Sequence, residues 1–515
     1  GDYVEATLEL VVVPMKAEDY YGPNANLHQD LERHGNTWEP IYRLARLNDL
    51  SVIMRKGILL RAYPLLLRSV LLAQAPMLHV DALERIPTST HLQVLYSFLR
   101  SRGARVEVFD PLVDFGLPGN DLPGYLRRIE ERIASIPFDV LGVSAWTSFQ
   151  YLGSVAVGSL GRRLSPEAVL AVGGYHPSVL PEDYTKVGDS FPFDYVVRGP
   201  GELFLANLAE SESPRPDRPV VVQGSPAPLD QLRTDGSYPY HQASVFLSRG
   251  CPHACSYCSN RTSDYDTMSV EHAVAECLEA DRRSTDGLFR IQDAIFGLRR
   301  PWRQGFLREL ARHPLRARPC LEVRADQLDP DDPELLAPLK PVVYLGVDSA
   351  SPSMLRIMNK TRSPEAYLSH LVRALRACDC HGVEYVIGVL VNHPGETPAM
   401  LRESTEWFWR LLWDGPSQGL LAFMTHRYAY FPGSPIEEML PGLAAAGARI
   451  GHPGWWRVAR SDHRVMSEAN QGSGDLTEAH VAEAMRRLET ANWMIGPRRR
   501  ALVEDMAQRA RGHEA

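Results

Sequence analysis

The sequence predicts an α/β protein: a doubly wound parallel sheet, a second run of β/α units, and a short helical end. Three observations predict it. Strand-like and helix-like stretches alternate over residues 86–210 and again over 241–440, the pattern of parallel sheets covered by helices. Residues 211–240 are rich in breakers, as in Ser225-Pro226-Ala227-Pro228 and Asp235-Gly236-Ser237-Tyr238-Pro239, and read as a linker. Residues 441–515 carry two helical patterns.

Residues 1–85 form a mixed region, with Leu8–Pro14 read as a strand and Leu44–Leu78 as helix-rich. The apolar stretch Ile58–Leu78 is interrupted by Arg61 and Arg68. It suits one or two buried helices better than a membrane span. In the first alternating block, helix His91–Arg102 precedes strand Arg105–Asp110, and helix Leu122–Ile136 leads to the buried strand Phe138–Ser144. A further helix ends at Arg163, strand Ala168–Gly174 ends in glycines, and strand Asp194–Gly199 runs through Gly201-Glu202 into a helix. Ligands of such sheets bind outside the carboxyl ends of the strands. Those ends carry Ser144 to Thr147, Gly173 to Pro177 and Gly199 to Glu202.

The second block reads as strands Ala243–Leu247, Phe289–Asp293, Cys320–Arg324, Val342–Ser349, Glu384–Val391 and Leu420–Tyr430. Between them lie helices Ser269–Ala280, Trp302–Arg312, Pro333–Leu339, Pro364–Cys380 and Thr397–Leu412. Helices Thr477–Trp493 and Pro497–Arg511 follow. Trp455-Trp456 before them is either a core or interface pair, or the wall of a substrate pocket.

Composition narrows the function classes. A chain of 515 residues allows two to four domains at roughly 150 residues each. Hydrophobic content of 44% and charged content of 23% are those of a globular protein. A net charge of −8 does not favour nucleic acid as a partner. The basic residues are mostly arginine, with few lysines. The odd count of seven cysteines argues against a disulfide framework and predicts a reducing cytoplasm. The N-terminus lacks a signal-peptide pattern, and no membrane partner is expected.

The segment Ser248-Arg249-Gly250-Cys251-Pro252-His253-Ala254-Cys255-Ser256-Tyr257-Cys258 carries the chemistry. Thiolates of Cys251, Cys255 and Cys258 at this spacing can fold around one [4Fe-4S] cluster and leave one iron open. The alternative is structural zinc, which usually takes four ligands in paired units; no second pair lies nearby. The spacing and its lead-in resemble the radical S-adenosylmethionine (SAM) superfamily. The resemblance implies that the open iron chelates SAM and that the β/α units form a partial (β/α)6 TIM barrel. Barrel chemistry belongs at the C-terminal strand ends, where Gln292, Asp293, Arg324, Asp348 and Ser349 fall. Arg324 suits the SAM carboxylate and Asp348 the ribose hydroxyls; for Arg324 an ion pair with Glu322 or another carboxylate is the alternative. The Gly388-x5-Pro394-Gly395-Glu396-Thr397 turn and Tyr430-Phe431-Pro432-Gly433-Ser434-Pro435 share the resemblance. Gly346-Val347-Asp348-Ser349-Ala350-Ser351 departs from it. A glutamate is expected where Asp348 stands and a glycine where Ala350 stands, which favours polar methyl transfer over reductive cleavage of SAM.

Val172-Gly173-Gly174-Tyr175-His176-Pro177-Ser178 and Asp194-Tyr195-Val196-Val197-Arg198-Gly199-Pro200-Gly201-Glu202 resemble the cobalamin-binding domain that precedes many radical SAM domains. The resemblance implies a Rossmann-like cobalamin domain, with Ser144, Thr147, Gly173, Gly174, His176, Pro177, Gly199 and Glu202 around the cofactor. Glycines after a strand let the backbone approach a bulky ligand. A Rossmann-like domain with another ligand, or none, is the alternative. Some cobalamin domains place a histidine on cobalt through Asp-x-His-x-x-Gly. After strand Arg105–Asp110 this chain reads Asp110-Pro111-Leu112, so no histidine ligand is expected there.

Cobalamin and SAM together imply methylation of a carbon through methylcobalamin. The group the resemblance points to is the cobalamin-dependent tryptophan 2-C-methylases of thiopeptide biosynthesis. It implies L-tryptophan as a small-molecule substrate and flavodoxin or ferredoxin as electron donor. Glu271 and Glu276, on the helix after the cysteines, are either a solvated face or a ligand to the cluster. A radical C-methylase, a radical rearrangement or cyclisation enzyme, and a non-catalytic corrinoid carrier are the alternatives.

Overall fold

The structure is a computed structural model that describes residues 12–14, 53–55, 58–60, 67–78, 90–185, 192–211, 215–233, 236–240, 243–260, 264–445, 447–450, 453–458, 470–471 and 475–511. Three short strands, β1 (Val12–Pro14), β2 (Ile53–Arg55) and β3 (Ile58–Leu60), pair antiparallel in the order β1-β3-β2. Of the strand expected at Leu8–Pro14, Val12–Pro14 is β1, and residues 8–11 lie outside the described residues.

The first large sheet contains β4 (Val70–Gln74), β5 (Val106–Phe109), β6 (Val140–Ser144), β7 (Val169–Gly173), β8 (Tyr195–Arg198) and β9 (Val220–Gln223). Their order is β5-β4-β6-β7-β8-β9, with every pair parallel. This doubly wound sheet is the expected one, but it opens earlier. The helices expected within Ile58–Leu78 are replaced by β3 and by β4, every residue of which is buried. A strand covered on both faces is a continuous apolar run, and periodicity cannot distinguish it from a buried helix. The segment read as a linker contributes β9 to the far edge.

This topology also corrects the test for a cobalt-binding histidine. The chain runs from β4 outward to β5, then back to β6 on the other side, so the switch point lies between β4 and β6. Ligands settle at such a point. Asp110 follows β5, at the sheet edge, where its carboxylate caps helix Pro111–Phe115 by accepting from Leu112 N at 3.0 Å. The loop after the first strand is instead residues 75–89, and 79–89 lie outside the described residues. Asp110-Pro111-Leu112 therefore says nothing about cobalt.

The second sheet begins with β10 (Ser244–Val245), after which β11 (Ser248–Arg249) and β12 (Asp266–Thr267) pair as a small ribbon. Strands β13 (Leu288–Ile291), β14 (Arg318–Arg324), β15 (Val342–Asp348), β16 (Glu384–Val391) and β17 (Leu420–Arg427) complete it. The order β10-β13-β14-β15-β16-β17 is sequential and parallel, as six successive β/α units require. Side-chain caps start the outer helices: Ser269 accepts from His272 N, and Thr397 from Met400 N. These satisfy amides that a helix start leaves open. Leu288, Val342 and Leu421, with Cys320 and Val386 against them, form a separate apolar cluster.

Strands β18 (Arg449–Ile450) and β19 (Asn470–Gln471) pair antiparallel. The two helices expected near the C-terminus are one, Glu478–Arg511, which continues through Pro497. Proline removes one backbone donor but does not end this helix. The helix packs on β17 and on helix Pro398–Asp414. Asn492 donates to Phe423 O at 2.8 Å and accepts from Phe423 N at 2.7 Å, which occupies part of an open sheet edge. No helix among the described residues is long and apolar enough to cross a membrane.

Candidate functional site

A cavity of about 850 Å³ lies between the two sheets, at the upper end of small-molecule sites. Its first wall is the C-terminal edge of the first sheet, where Ser144, Thr147, Gly173, Gly174, Gly199 and Glu202 line it. Glycine has a physical reason at two of these positions. Gly174 has φ +113°, and a Cβ there would lie 2.6 Å from Ala145 O. Gly199 has φ +79°, a conformation that residues with a side chain rarely adopt.

His176 and Pro177 do not line the cavity. The short helix Tyr175–Val179 turns Tyr175, Ser178 and Val179 toward it and buries His176 and Pro177 behind. His176 Nδ1 meets Ser148 Oγ at 2.9 Å and Nε2 meets Asp183 at 3.3 Å. Burial pushes the His176 pKa down, against its bond to Asp183. It is a core histidine.

The opposite wall comes from the second sheet, through Phe246, Ser248, Arg249, Gly250, Gln292 and Asp293. Polar contacts join the walls: Thr90 Oγ1 donates to Gln292 Oε1 at 2.8 Å, and Arg249 pairs with Glu202. Asp293, pushed up to about 7 by burial, accepts from Leu247 N, Ser248 N and Ser248 Oγ. It braces the entry to the cysteine segment. Glu276 is buried in the lining, 3.8 Å from His272, whereas Glu271 is exposed.

The start of helix Thr90–Ser101 adds residues that the sequence did not single out. His91 stacks on Phe246 with ring centroids 4.6 Å apart. The ring faces the cavity, and the protein packed around it together with Arg249 pushes its pKa down. Gln93 is buried with neither side-chain amide atom hydrogen-bonded, and Glu202 Oε2 is likewise without a partner. Unsatisfied buried groups of this kind are costly. Both residues line the cavity, where the peripheral amides of a corrin would satisfy them. The glycine-edged wall and these orphaned groups fit cobalamin.

Cys251 and Cys255 are buried and Cys258 half-buried beside this wall. Among the described residues, Asp329, Asp331 and Asp332 are the grouping of His, Cys, Asp or Glu ligand atoms that falls within 4.8 Å mutually. Three thiols in one short segment, two buried and one half-buried, fit the three-cysteine ligand set of a [4Fe-4S] cluster with one open iron. Burial pushes Cys258 up to about 11, so loading must expel protons.

Two cations stand by the thiols. Arg324 donates to Cys255 Sγ at 3.3 Å, pairs with Asp326 at 2.6 Å and bonds Lys360 O. Its carboxylate partner is therefore Asp326, not Glu322. Lys360 bonds both Asp348 and Tyr257 Oη, and Tyr257 also donates to Asp348. Asp348 adopts φ +68°, a conformation uncommon outside glycine and found where the surroundings enforce it. Ser349 lies buried beneath, engaged by Ser404 and Ser351 N. Of the residues expected around SAM, Gln292 and Asp293 reach the cavity, Arg324 and Asp348 flank the cysteine segment, and Ser349 is internal. Trp455 and Trp456 are an interface pair: Trp455 donates to Tyr430 O, and Trp456 to Asp183 of the first block.

Comparison with known proteins fits this geometry. The B12 binding domain family matches residues 84–209, and the radical SAM superfamily matches residues 245–408. The anaerobic magnesium-protoporphyrin IX monomethyl ester cyclase of Rubrivivax gelatinosus is 23% identical, over 54% of this chain and 55% of its own length. An uncharacterized methyltransferase of Pyrococcus horikoshii is 22% identical, over 57% of this chain and 67% of its own. The chain thus spans about half to two thirds of these relatives. The structure of TsrM, a radical SAM methyltransferase of Kitasatospora setae, with cobalamin and a [4Fe-4S] cluster bound, superposes with a TM-score of 0.62 at 20% identity, covering 82% of this chain and 91% of that one. The cobalamin-dependent radical enzyme OxsB superposes at 0.57 and 16% identity, covering 87% and 70%. These likenesses show the shared fold. The two matched domains imply a [4Fe-4S] cluster, SAM and cobalamin. The chain thus carries a B12-binding domain over residues 84–209 followed by a radical SAM domain over residues 245–408.

Proposed function

We propose that this protein is a SAM methyltransferase that uses cobalamin and a [4Fe-4S] cluster to methylate a carbon of a small molecule, with C2 of L-tryptophan as the substrate position. The observation that carries the reading is the single cavity, which runs from the glycine-edged strand ends of the first sheet to Gly250, Ser259 and Asn260 around the cysteines. Cobalamin and SAM side by side supply methyl-transfer chemistry. The chain's own residues hold and shape that site. Cys251, Cys255 and Cys258 bind the cluster, and Arg324 and Lys360 offset its negative charge. Asp293 fixes the strand end from which the cysteine segment departs. Thr90, Arg249 and their partners close the two walls on each other and limit water. The cobalamin unit in this proposal spans about residues 70–223, and flavodoxin or ferredoxin supplies electrons.

Support for tryptophan comes from the TsrM structure solved with tryptophan and a SAM analogue, which superposes with a TM-score of 0.58. A second reading, radical cyclisation, is favoured by the similarity to the cyclase. Anaerobic reconstitution with iron, sulfide and cobalamin, followed by SAM, reductant and L-tryptophan, separates them. The proposal expects 2-methyltryptophan and S-adenosylhomocysteine without 5′-deoxyadenosine. Deoxyadenosine without S-adenosylhomocysteine overturns it in favour of radical chemistry.

A further inference from the structure

The barrel end of the cavity carries a carboxylate with no partner. Glu322 lies on β14 between Leu321 and Val323, which point into the core. Alternation along a strand sends Glu322 to the other face, where it lines the cavity. Its side chain is exposed to the cavity, and the protein mass around the barrel pushes its carboxyl upward. No hydrogen bond or ion pair holds the side chain among the described residues. The nearest candidates are committed elsewhere: Arg324 to Asp326, and Arg290 to Asp286. The titratable groups that feel Glu322 are Asp293, Cys320 and Tyr344, none of them a cation.

The surroundings have the form of a subsite. Tyr344, in register with Glu322 on β15, rests against Gly388, where a Cβ would meet its hydroxyl at 2.3 Å. Gly388 thus leaves room for the ring. The apolar cluster of Leu288, Val342 and Leu421, with Cys320 and Val386, lies at the N-terminal ends of the same strands. Pockets are mostly apolar walls with a few polar groups that orient the ligand. A cavity-facing carboxylate with no counter-charge of its own is free to accept a charge-assisted hydrogen bond from a ligand that brings one.

We propose that Glu322 anchors the substrate in the barrel by accepting from a protonated amine, so that the enzyme's substrate carries an ammonium group. The inference rests on the cavity being the active site proposed above, and it names the substrate class. Glu276 and Asp293, also in the lining, give this end the same electrostatic preference.

The test compares two probes of matching shape, tryptamine, a cation, and tryptophol, a neutral alcohol, by calorimetric titration of the cobalamin- and cluster-loaded protein. Wild type is expected to bind tryptamine at least about tenfold more tightly, the scale of one charge-assisted hydrogen bond. Glu322→Gln is expected to lose that preference and Glu322→Asp to keep part of it, with unchanged cluster and cobalamin absorbance in both. Equal binding of the probes by wild type, binding of neither, or a preference that survives in Glu322→Gln overturns the inference. The two proposals fail separately. If L-tryptophan is not methylated but the amine preference depends on Glu322, the tryptophan reading falls and the anchor stands. Methylation of L-tryptophan with a preference indifferent to Glu322 leaves the opposite result.

Discussion

In the proposed reading, single residues set the two cofactor sites, Arg324 at the cluster and Gly174 at the cobalamin wall. Arg324 places a donor on Cys255 Sγ and a full positive charge beside it. Hydrogen bonds and charge near the sulfurs raise a cluster's reduction potential. Arg324→Gln should therefore lower it, read by a redox titration followed by electron paramagnetic resonance. An unchanged potential would mean that Arg324 serves only Asp326. Gly174 works through shape. Its positive φ and the 2.6 Å approach to Ala145 O leave no space for a methyl. Gly174→Ala should destabilise the fold by about 1–3 kcal/mol and lower the bound cobalamin, measured by thermal unfolding and by absorbance after desalting. Both sites differ in how well the sequence showed them. The cysteines are visible because their ligands sit within one short segment. Lys360 is not, because it meets Asp348 and Tyr257 across 12 and 103 residues, and no local pattern marks such a meeting. The same holds for Gln93, an ordinary polar residue on a helix until the cavity beside it is known.

At the scale of elements, two buried carboxyls act with opposite sign. Asp183, on helix Glu182–Thr185, joins the first block to residues 453–458. Burial alone would raise its pKa, but hydrogen bonds from His176, Arg457 and Trp456 hold it down at about 2. A depressed carboxyl stabilises the fold above its unfolded value near 3.8 and loses that contribution as pH falls toward 2. Asp183→Ala should cost about 1–3 kcal/mol at neutral pH, as leaving the buried Trp456 indole N–H without its acceptor does, and should flatten the acid limb of a thermal-unfolding profile. Glu396 behaves in reverse. Burial pushes it up to about 8 despite bonds from Asn392 N and His393 N. A raised carboxyl favours the fold most at low pH and loses that advantage as pH rises from about 4.5 to 8. Glu396→Gln mimics the protonated form. It should leave stability at pH 7 unchanged or higher and remove that slope; a large loss of melting temperature would contradict it. Element identity was legible where pattern and length agreed, as in β14 to β17. It failed at β4, where burial on both faces erased alternation, and at the last helix, where Pro497 suggested a break.

At the scale of the whole molecule, the structure is two parallel sheets whose C-terminal ends face one cavity. The sequence showed each sheet separately, through its strand–helix alternation. It could not show that the sheets face each other. The contacts responsible, Thr90 with Gln292 and Arg249 with Glu202, join residues of no distinctive type at large separation. The central claim is that this shared cavity moves a methyl group from SAM to cobalamin and on to carbon. Mixing the reduced, cobalamin- and cluster-loaded protein anaerobically with SAM labelled with carbon-13 in its methyl group tests it most directly, by mass spectrometry of the bound cobalamin and the adenosyl products. The account predicts label on cobalamin and an equal amount of S-adenosylhomocysteine. Unlabelled cobalamin, with 5′-deoxyadenosine as the adenosyl product and no S-adenosylhomocysteine, would contradict it.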